Sequence, residues 1–184
     1  GNTPVFAFAD PGGAFNNATG CLNGVRGNAA DHLTGDVVPY LVEHFGVSDD
    51  PANWGVVGWS SGGTCALNLT VKYPELFSTF VDIDGDLAPN AGTKAQTIER
   101  LFGGDAAAYD DWDPATVIER HGDYEGVAGW FAVSETANTA AISGEAGKFV
   151  VGGEFPVPVA QDEGEISIEF KPFRVGLGYA PVVM

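Results

Sequence analysis

The residues best suited to chemistry in this chain are Gly58-Trp59-Ser60-Ser61-Gly62, a G-x-S-x-G motif. They follow a predicted strand that ends at Val57, and a predicted helix begins at about Gly62. A sharp turn between a strand and a helix holds a serine hydroxyl out as a nucleophile, and the next backbone N–H faces the developing oxyanion. We therefore predict Ser60 as the nucleophile and Ser61 as an oxyanion donor. The alternative is a glycine-rich turn with a capping serine.

A nucleophilic serine needs a base, normally histidine, and in this arrangement the base follows both the serine and the acid along the chain. His32 and His44 precede Ser60, so we predict that they are packing or surface residues. His121 follows Ser60 but precedes the strand predicted at residues 127–133, and a surface role is favoured for it over that of a base. Residues 148–184 contain no histidine.

The predicted acid is Glu135, which stands just past the strand that ends at Val133, where a carboxylate of a catalytic triad usually lies. Other carboxylates come earlier, in a run dense enough to be typical of a solvated loop. These alternatives are Asp82, Asp84, Asp86, Asp110, Asp111 and Asp113.

The elements that must position these residues alternate between strand and helix. Apolar runs predict strands at residues 5–9, 53–57, 77–83 and 127–133, and helical spacing predicts helices at 33–44 and 64–73. This order predicts an α/β fold, a parallel sheet flanked by helices and joined by right-handed crossovers. The loop at 12–26 and the segment at 84–112 are predicted to line a substrate pocket.

The pattern changes near Gly144, where helical periods give way to strand-like runs at residues 148–151, 166–170 and 175–183. We therefore predict an α/β domain at residues 1–144 and a β-rich tail at 145–184. A tail foreign to the sheet would make few contacts with it and would leave open strand edges able to pair with other chains.

The length and the charge of the chain limit the size of its core and the classes of partner it can bind. The chain has 184 residues, enough for one sizeable core, and 8 basic against 25 acidic residues give it a net charge of −17. Such a field repels nucleic acid and anionic lipid. No apolar run is long enough for a membrane helix.

Cys21 and Cys65 form either one disulfide or two unrelated thiols, and no metal-type pair of cysteines and no cofactor motif is found. No signal peptide is visible, and a strand so close to Gly1 is expected of a fragment or a processed product.

Several stretches resemble the Putative esterase family, which includes actinobacterial mycolyltransferases and S-formylglutathione hydrolases. They are PVFAFADPGGAF, DHLTGDVVPYLVEHF, WGVVGWSSGGTCALNLTVKYPELFSTFVDIDGDLAP and FGGDAAAYDDWDP. The resemblance covers residues 1–140 and implies an α/β-hydrolase fold, acyl-ester chemistry on a small-molecule or lipid ester, and an exported or cell-envelope location. It matches Ser60 to the nucleophile and Ser61 to the second oxyanion donor. It also implies that the other oxyanion donor lies upstream of Gly1 and that the histidine lies after residue 140, where none is present.

The tail KFVVGGEFPVPVAQDEGEISIEFKPFRVGLGYAPVV resembles the pore domain of bacterial secretins of pilus-assembly systems. That resemblance implies strands that assemble between chains, so self-association through the tail is expected. Together the two resemblances favour a chimeric chain. The sequence thus predicts a serine ester hydrolase or acyltransferase module, inactive as this chain if the missing parts are essential. The alternative is a non-catalytic assembly protein whose tail pairs with other chains.

Overall fold

The computed structural model describes residues 4–13 and 17–132, together with the backbone of residues 182–183. Within these ranges the strands are β1 (Val5–Phe6), β2 (Asn23–Gly24), β3 (Gly27–Asn28), β4 (Trp54–Trp59), β5 (Thr79–Ile83), β6 (Ala128–Ala132) and β7 (Val182–Val183). The helices are α1 (Ala29–Asp31), α2 (Val38–Phe45), α3 (Ser61–Lys72), α4 (Lys94–Phe102), α5 (Ala106–Asp110) and α6 (Pro114–His121).

The main sheet has the order β1-β7-β4-β5-β6, and every pairing in it is parallel. In β4 and β5 Gly58 pairs with Asp82, and in β5 and β6 Asp82 pairs with Phe131. The carboxyl ends of these three strands therefore lie at one edge of the sheet. The predicted α/β fold with a parallel sheet and flanking helices is confirmed.

One face of the sheet is packed against helices. Phe80 is buried on this face, and Gly129 of the neighbouring strand lies directly against its ring. The Tyr124 hydroxyl, just after α6, donates a hydrogen bond of 2.8 Å to the Val71 carbonyl of α3. Both helices therefore lie on the same side of the sheet, where most of the hydrophobic core is found.

The helix predicted at residues 33–44 forms, but it is not regular. A π-helical segment at His32–Val37 joins α1 to α2. It ends two residues before Pro39, whose ring would clash with the carbonyl of Gly35 in a regular α-helix. The wider turn removes that clash, and the helix ends at Gly46 in the left-handed conformation.

The elements differ from the predicted ones mostly at their ends. The first strand is shorter than predicted, since pairing stops at Phe6, whereas β4 runs two residues further than predicted, to Trp59. In the tail, Val182–Val183 pair with both β1 and β4. The expectation of few contacts concerns the tail as a whole, and the rest of the tail lies outside the described residues. The strands predicted at 148–151 and 166–170, and the boundary at 144, lie outside the described residues. In the part of the chain that is described, no helix combines the length and apolarity needed to cross a membrane.

Candidate active site

Ser60 is the single residue that forms the turn between β4, which ends at Trp59, and α3, which begins at Ser61. Its backbone has φ +55° and ψ −123°, a conformation that L-residues rarely adopt. Three hydrogen bonds hold it there: Ser60 N–H donates to the Ile83 carbonyl at 2.7 Å, and the Ser60 carbonyl accepts from Gly63 N–H at 2.8 Å and from Thr64 N–H at 3.2 Å. Ser60 is exposed, so the predicted strand–turn–helix with an accessible serine is confirmed.

The glycines around Ser60 have unequal roles. A Cβ on Gly58 would overlap the backbone of Gly62, and a Cβ on Gly63 would overlap the carboxylate of Asp82. At Gly62, by contrast, a Cβ would meet nothing within 4 Å. The close approach of strand and helix therefore requires Gly58 and Gly63, whereas Gly62 leaves open space beside the serine.

Ser61 contributes its backbone to the site. Its N–H is the first amide of α3 and has no carbonyl partner among the described residues. The first amides of a helix point along its axis at the positive end of the helix dipole, where they stabilise negative charge. Ser60 Oγ and the Ser61 N–H thus belong to adjacent residues at the start of α3.

Beside this turn lies a cavity of about 340 Å³. Ser61, Gly62 and Thr64 of α3 form one wall, and the remaining walls come from the two segments that the sequence predicts to line a pocket, together with Asp10 and Pro11. Of the described residues that line it, Asp10 and Asp86 carry charged side chains. The other lining residues are Pro11, Gly12, Asn17, Ala18, Thr19, Gly20, Cys21, Thr64, Pro89, Asn90 and Leu101.

A disulfide joins Cys21 to Cys65, with the two Cα atoms 5.3 Å apart. This decides between the bridge and the free thiols that the sequence left open. Cys65 lies in the second turn of α3, and Cys21 lines the cavity, so the bridge ties the cavity loop to the helix that carries Ser61.

The sequence placed Asp82 among the carboxylates of a solvated loop, and the structure buries it instead. It is only 4% exposed, and it packs between Gly63 at the start of α3 and Gly85, whose N–H donates a hydrogen bond of 2.8 Å to Oδ1. Burial raises the pKa of Asp82 to about 6; the Gly85 hydrogen bond opposes this shift, and the charges of Asp84 and Asp86 add to it. The burial of Asp82 could have been predicted from the sequence, because side chains alternate between the two faces of a strand and Asp82 therefore shares a face of β5 with Phe80.

This pKa gives a pH-dependent prediction for Asp82→Asn. Between pH 4 and 6 the carboxyl ionises in the unfolded chain before it does in the native one, so the wild type loses stability as the pH rises, and the loss levels off above the native pKa of about 6. The asparagine variant has no such term. At about 1.4 kcal/mol per pKa unit, and with the unfolded carboxyl already about half ionised at pH 4, the free energy of unfolding of the variant should rise by roughly 2 kcal/mol relative to the wild type between pH 4 and 7.5.

Urea unfolding at both pH values measures this difference. Asp123→Asn, at an exposed carboxylate, controls for the loss of one negative charge from an acidic chain. A gap between the Asp82→Asn variant and the wild type that stays constant with pH would contradict the assignment.

The three histidines have other partners. His32 Nδ1 lies 2.9 Å from Asp36 Oδ2, and His44 Nδ1 lies 3.1 Å from the Tyr40 carbonyl. The His121 ring stacks on Tyr124 with 3.8 Å between centroids, at the end of α6 that leads into the start of β6. Ser60 lies at the opposite edge of the sheet. In the described part of the chain, no hydrogen bond connects Ser60 Oγ to a histidine.

Several alternative acids serve local structure instead. Asp113 caps α6 through Thr116, Asp111 Oδ1 pairs with Arg120 at 2.6 Å, and Asp110 Oδ1 lies 3.7 Å from Lys94 Nζ. Asp84 has a positive φ of +52°, and its N–H donates to the Ala132 carbonyl at 2.8 Å. Glu135 lies outside the described residues. The last residue of β6, Ala132, pairs with Ile83 at the edge of the sheet where Ser60 lies.

Comparisons with known proteins agree with this fold. The family model described as Putative esterase matches residues 11–130. An S-formylglutathione hydrolase from Agrobacterium tumefaciens superposes with a TM-score of 0.51 at 17% sequence identity, over 70% of this chain and 59% of that one. At this identity the likeness establishes the α/β-hydrolase type of fold.

Two curated relatives are similar in sequence. Protein Cgl0967/cg1104 of Corynebacterium glutamicum is 31% identical over 152 residues, which is 83% of this chain and 33% of that protein. Protein y4xJ of Sinorhizobium fredii is 49% identical over 47 residues, 26% of this chain and 11% of that protein. The chain therefore spans a third or less of the length of these relatives. The family match favours a carboxylic ester hydrolase type of function.

Proposed function

The chain belongs to the Putative esterase family, and on that premise we propose that it is a serine-dependent carboxylic ester hydrolase or acyltransferase module. Ser60 Oγ attacks the acyl carbonyl carbon, and its proton passes to a base. The tetrahedral oxyanion accepts a hydrogen bond from Ser61 N–H, and the alcohol then leaves with a proton. Water or a second alcohol takes the acyl group from Ser60, which gives hydrolysis or transfer.

The observation that carries this proposal is the backbone of Ser60. A serine with φ +55° at an exposed turn is strained, and such strain persists where the surroundings fix it, most often at functional sites. Here the Ile83 carbonyl and the first turn of α3 fix it. The serine thereby directly precedes the first helical amide, that of Ser61, and Ser61 is one of the residues that line the cavity.

The base is the incomplete part of this site. The histidines of the chain are His32, His44 and His121, so all three precede β6 in the sequence. Each of them contacts a partner within its own segment, and in the described part of the chain none is hydrogen-bonded to Ser60. We propose that Glu135 supplies the carboxylate that would orient a base and that this chain by itself lacks the base. Catalysis then rests on binding and the oxyanion donor, which leave only a small part of the full rate enhancement.

The cavity limits the substrate class. Among its described lining residues the charged side chains are Asp10 and Asp86, and none is basic. With a net charge of −17 the chain also repels anions at longer range. We therefore propose a small uncharged acyl ester as substrate, and we expect anionic esters to be turned over more slowly than neutral ones of the same size.

Hydrolysis of p-nitrophenyl acetate, with and without imidazole, tests this function. We expect a rate far below the usual enzymatic range of about 1–1000 per second, because the base is missing. Imidazole, added as a diffusible base, should raise the rate, and the Ser60→Ala variant should show only the reaction of imidazole with the ester.

Two results would count against the proposal in different ways. A rate in the enzymatic range without imidazole, lost in Ser60→Ala, would show that this chain holds its own base. Equal rates for wild type and Ser60→Ala at every imidazole concentration would exclude Ser60 as the nucleophile.

A further inference from the structure

Residues 82–86 are the end of β5 and the start of the loop after it, and we call them the 82–86 segment. Two of their contacts reach the turn that carries the serine. The Ile83 carbonyl accepts the Ser60 N–H at 2.7 Å. The carboxyl group of Asp82 lies against Gly63, in the space that a Cβ there would fill. Because Gly63 N–H is one of the two described donors to the Ser60 carbonyl, Asp82 contacts a residue that fixes the backbone of the serine.

The other donor to the Ser60 carbonyl, Thr64 N–H, belongs to a residue that the same segment holds. Thr64 Oγ1 accepts a hydrogen bond of 2.8 Å from Asp86 N–H and donates one of 3.2 Å to the Asp86 carbonyl. Each of the three hydrogen bonds described for the Ser60 backbone therefore involves a residue of the 82–86 segment or a residue that the segment contacts. Asp86 also lines the cavity, so the segment connects the cavity wall to the first turn of α3.

Backbone strain is concentrated at this site. Among the described residues, those other than glycine with a positive φ are Cys21, Ser60 and Asp84. Cys21 lines the cavity, and Asp84 belongs to the 82–86 segment. Asp84 N–H donates a hydrogen bond of 2.8 Å to the Ala132 carbonyl at the end of β6. Strained residues persist only where their surroundings fix them, so the segment is held by β6 on one side and contacts the serine turn on the other.

Asp82 is the member of the segment whose burial is unfavourable. It is 4% exposed, and none of the ion pairs in the described part of the chain includes it. The described hydrogen bond to its carboxyl group comes from Gly85 N–H, and a Cβ at Gly85 would overlap that group just as a Cβ at Gly63 would. A buried carboxyl group without an ion-pair partner lowers stability, and such violations of the packing rules are expected at functional sites.

We propose that Asp82 is a positioning residue for Ser60, an inference that rests on the proposed role of Ser60 as the nucleophile. Its carboxyl group, seated between Gly63 and Gly85, fixes the start of α3 against β5. Asp82 thus acts through Gly63, whose N–H binds the Ser60 carbonyl. A misplacement of about 1 Å at a reacting group can lower a rate by about a hundredfold, so loss of this carboxyl group should lower the reactivity of Ser60 even in protein that remains folded.

The rate at which a fluorophosphonate probe labels Ser60 tests this role, with the whole chain at pH 7.5 and imidazole present. Asp82→Ala leaves the space between the two glycines empty, and we expect its labelling rate to fall by about ten- to a hundredfold. Asp82→Asn keeps the shape of the side chain and an oxygen for Gly85 N–H, so it should stay within a few-fold of the wild type. Leu41→Ala, at a buried residue of α2, controls for a general loss of stability and should be labelled like the wild type while it is folded.

Amide hydrogen exchange gives a second readout, which does not depend on the nucleophile. Gly63 and Thr64 N–H bind the Ser60 carbonyl, so both should exchange faster in Asp82→Ala than in the wild type or in Asp82→Asn. Leu41→Ala should show no selective change at these two amides. Should Asp82→Ala fail to fold, Gly85→Ala takes its place in both measurements, because its Cβ displaces the carboxyl group without removing it.

The outcomes separate this role from the proposed function. Equal labelling of Ser60 in the wild type and Asp82→Ala, or an equally large fall in Leu41→Ala, would overturn the positioning role. A wild type that is not labelled at Ser60 would refute the proposed function, and the exchange rates would then decide alone. In that case, faster exchange at Gly63 and Thr64 in Asp82→Ala would still support the role of Asp82 in fixing the turn, and unchanged exchange would overturn it.

Discussion

Replacement of Ser60 by alanine should abolish labelling of this chain by a fluorophosphonate probe. In the wild type we expect the serine oxygen to form a bond to phosphorus while fluoride leaves, slowly without a base and faster with added imidazole. Its exposed hydroxyl and the neighbouring amide of Ser61 favour this serine over the others in the chain. Gel fluorescence, followed by fragment-ion mapping, measures both the extent and the site of labelling.

Ser61→Ala is the matched control, because the two serines are adjacent and the variant keeps the backbone N–H that we propose as the oxyanion donor. Its labelling should stay within a few-fold of the wild type. If Ser61→Ala loses the label as completely as Ser60→Ala does, the Ser61 side chain is required and the assigned roles are wrong.

The second large effect is expected on stability, at Gly58. A Cβ there would overlap the carbonyl and the Cα of Gly62, both of them backbone atoms that move only if β4 and α3 separate. Overpacking of this kind costs up to about 3 kcal/mol, and occasionally more. For a chain of this length each kcal/mol lowers the Tm by roughly 2–4 °C, so Gly58→Ala should unfold about 10 °C below the wild type.

Gly62→Ala provides the comparison within the same motif. A Cβ at Gly62 meets no atom within 4 Å, and alanine favours helix over glycine by up to about 1 kcal/mol. Gly62→Ala should therefore melt at or slightly above the wild-type temperature. Similar Tm values for both variants in thermal unfolding would contradict the close packing described for Gly58.

Much of this architecture could be predicted from local sequence patterns. The apolar runs and helical spacings locate β4, α3, β5 and β6 to within a few residues, because these elements are buried and their periodicity is strong. The turn at Ser60 could be predicted for a related reason, since its glycines lie between a strand and a helix. Gly62, however, belongs to the motif without a packing requirement for glycine, and only coordinates show this.

Other features depend on distances that the sequence does not contain. The pairing of Cys21 with Cys65 requires Cα atoms 5.3 Å apart across 44 residues of chain. In sequence Asp82 resembled the other carboxylates of a dense acidic run, and its burial against Gly63 depends on how α3 crosses β5. The position of Val182–Val183 between β1 and β4 is likewise a long-range pairing that no local pattern predicts.

The most direct test of the central claim, that Ser60 is an acyl-accepting nucleophile, is to trap the acyl group. The chain is incubated with p-nitrophenyl acetate and imidazole, quenched in acid, and mapped by fragment-ion mass spectrometry, with Ser60→Ala treated in parallel. We expect a single acetyl group on Ser60 of the wild type, absent from the variant. Acetylation at other residues with none on Ser60, at the same rate in both proteins, would contradict the claim.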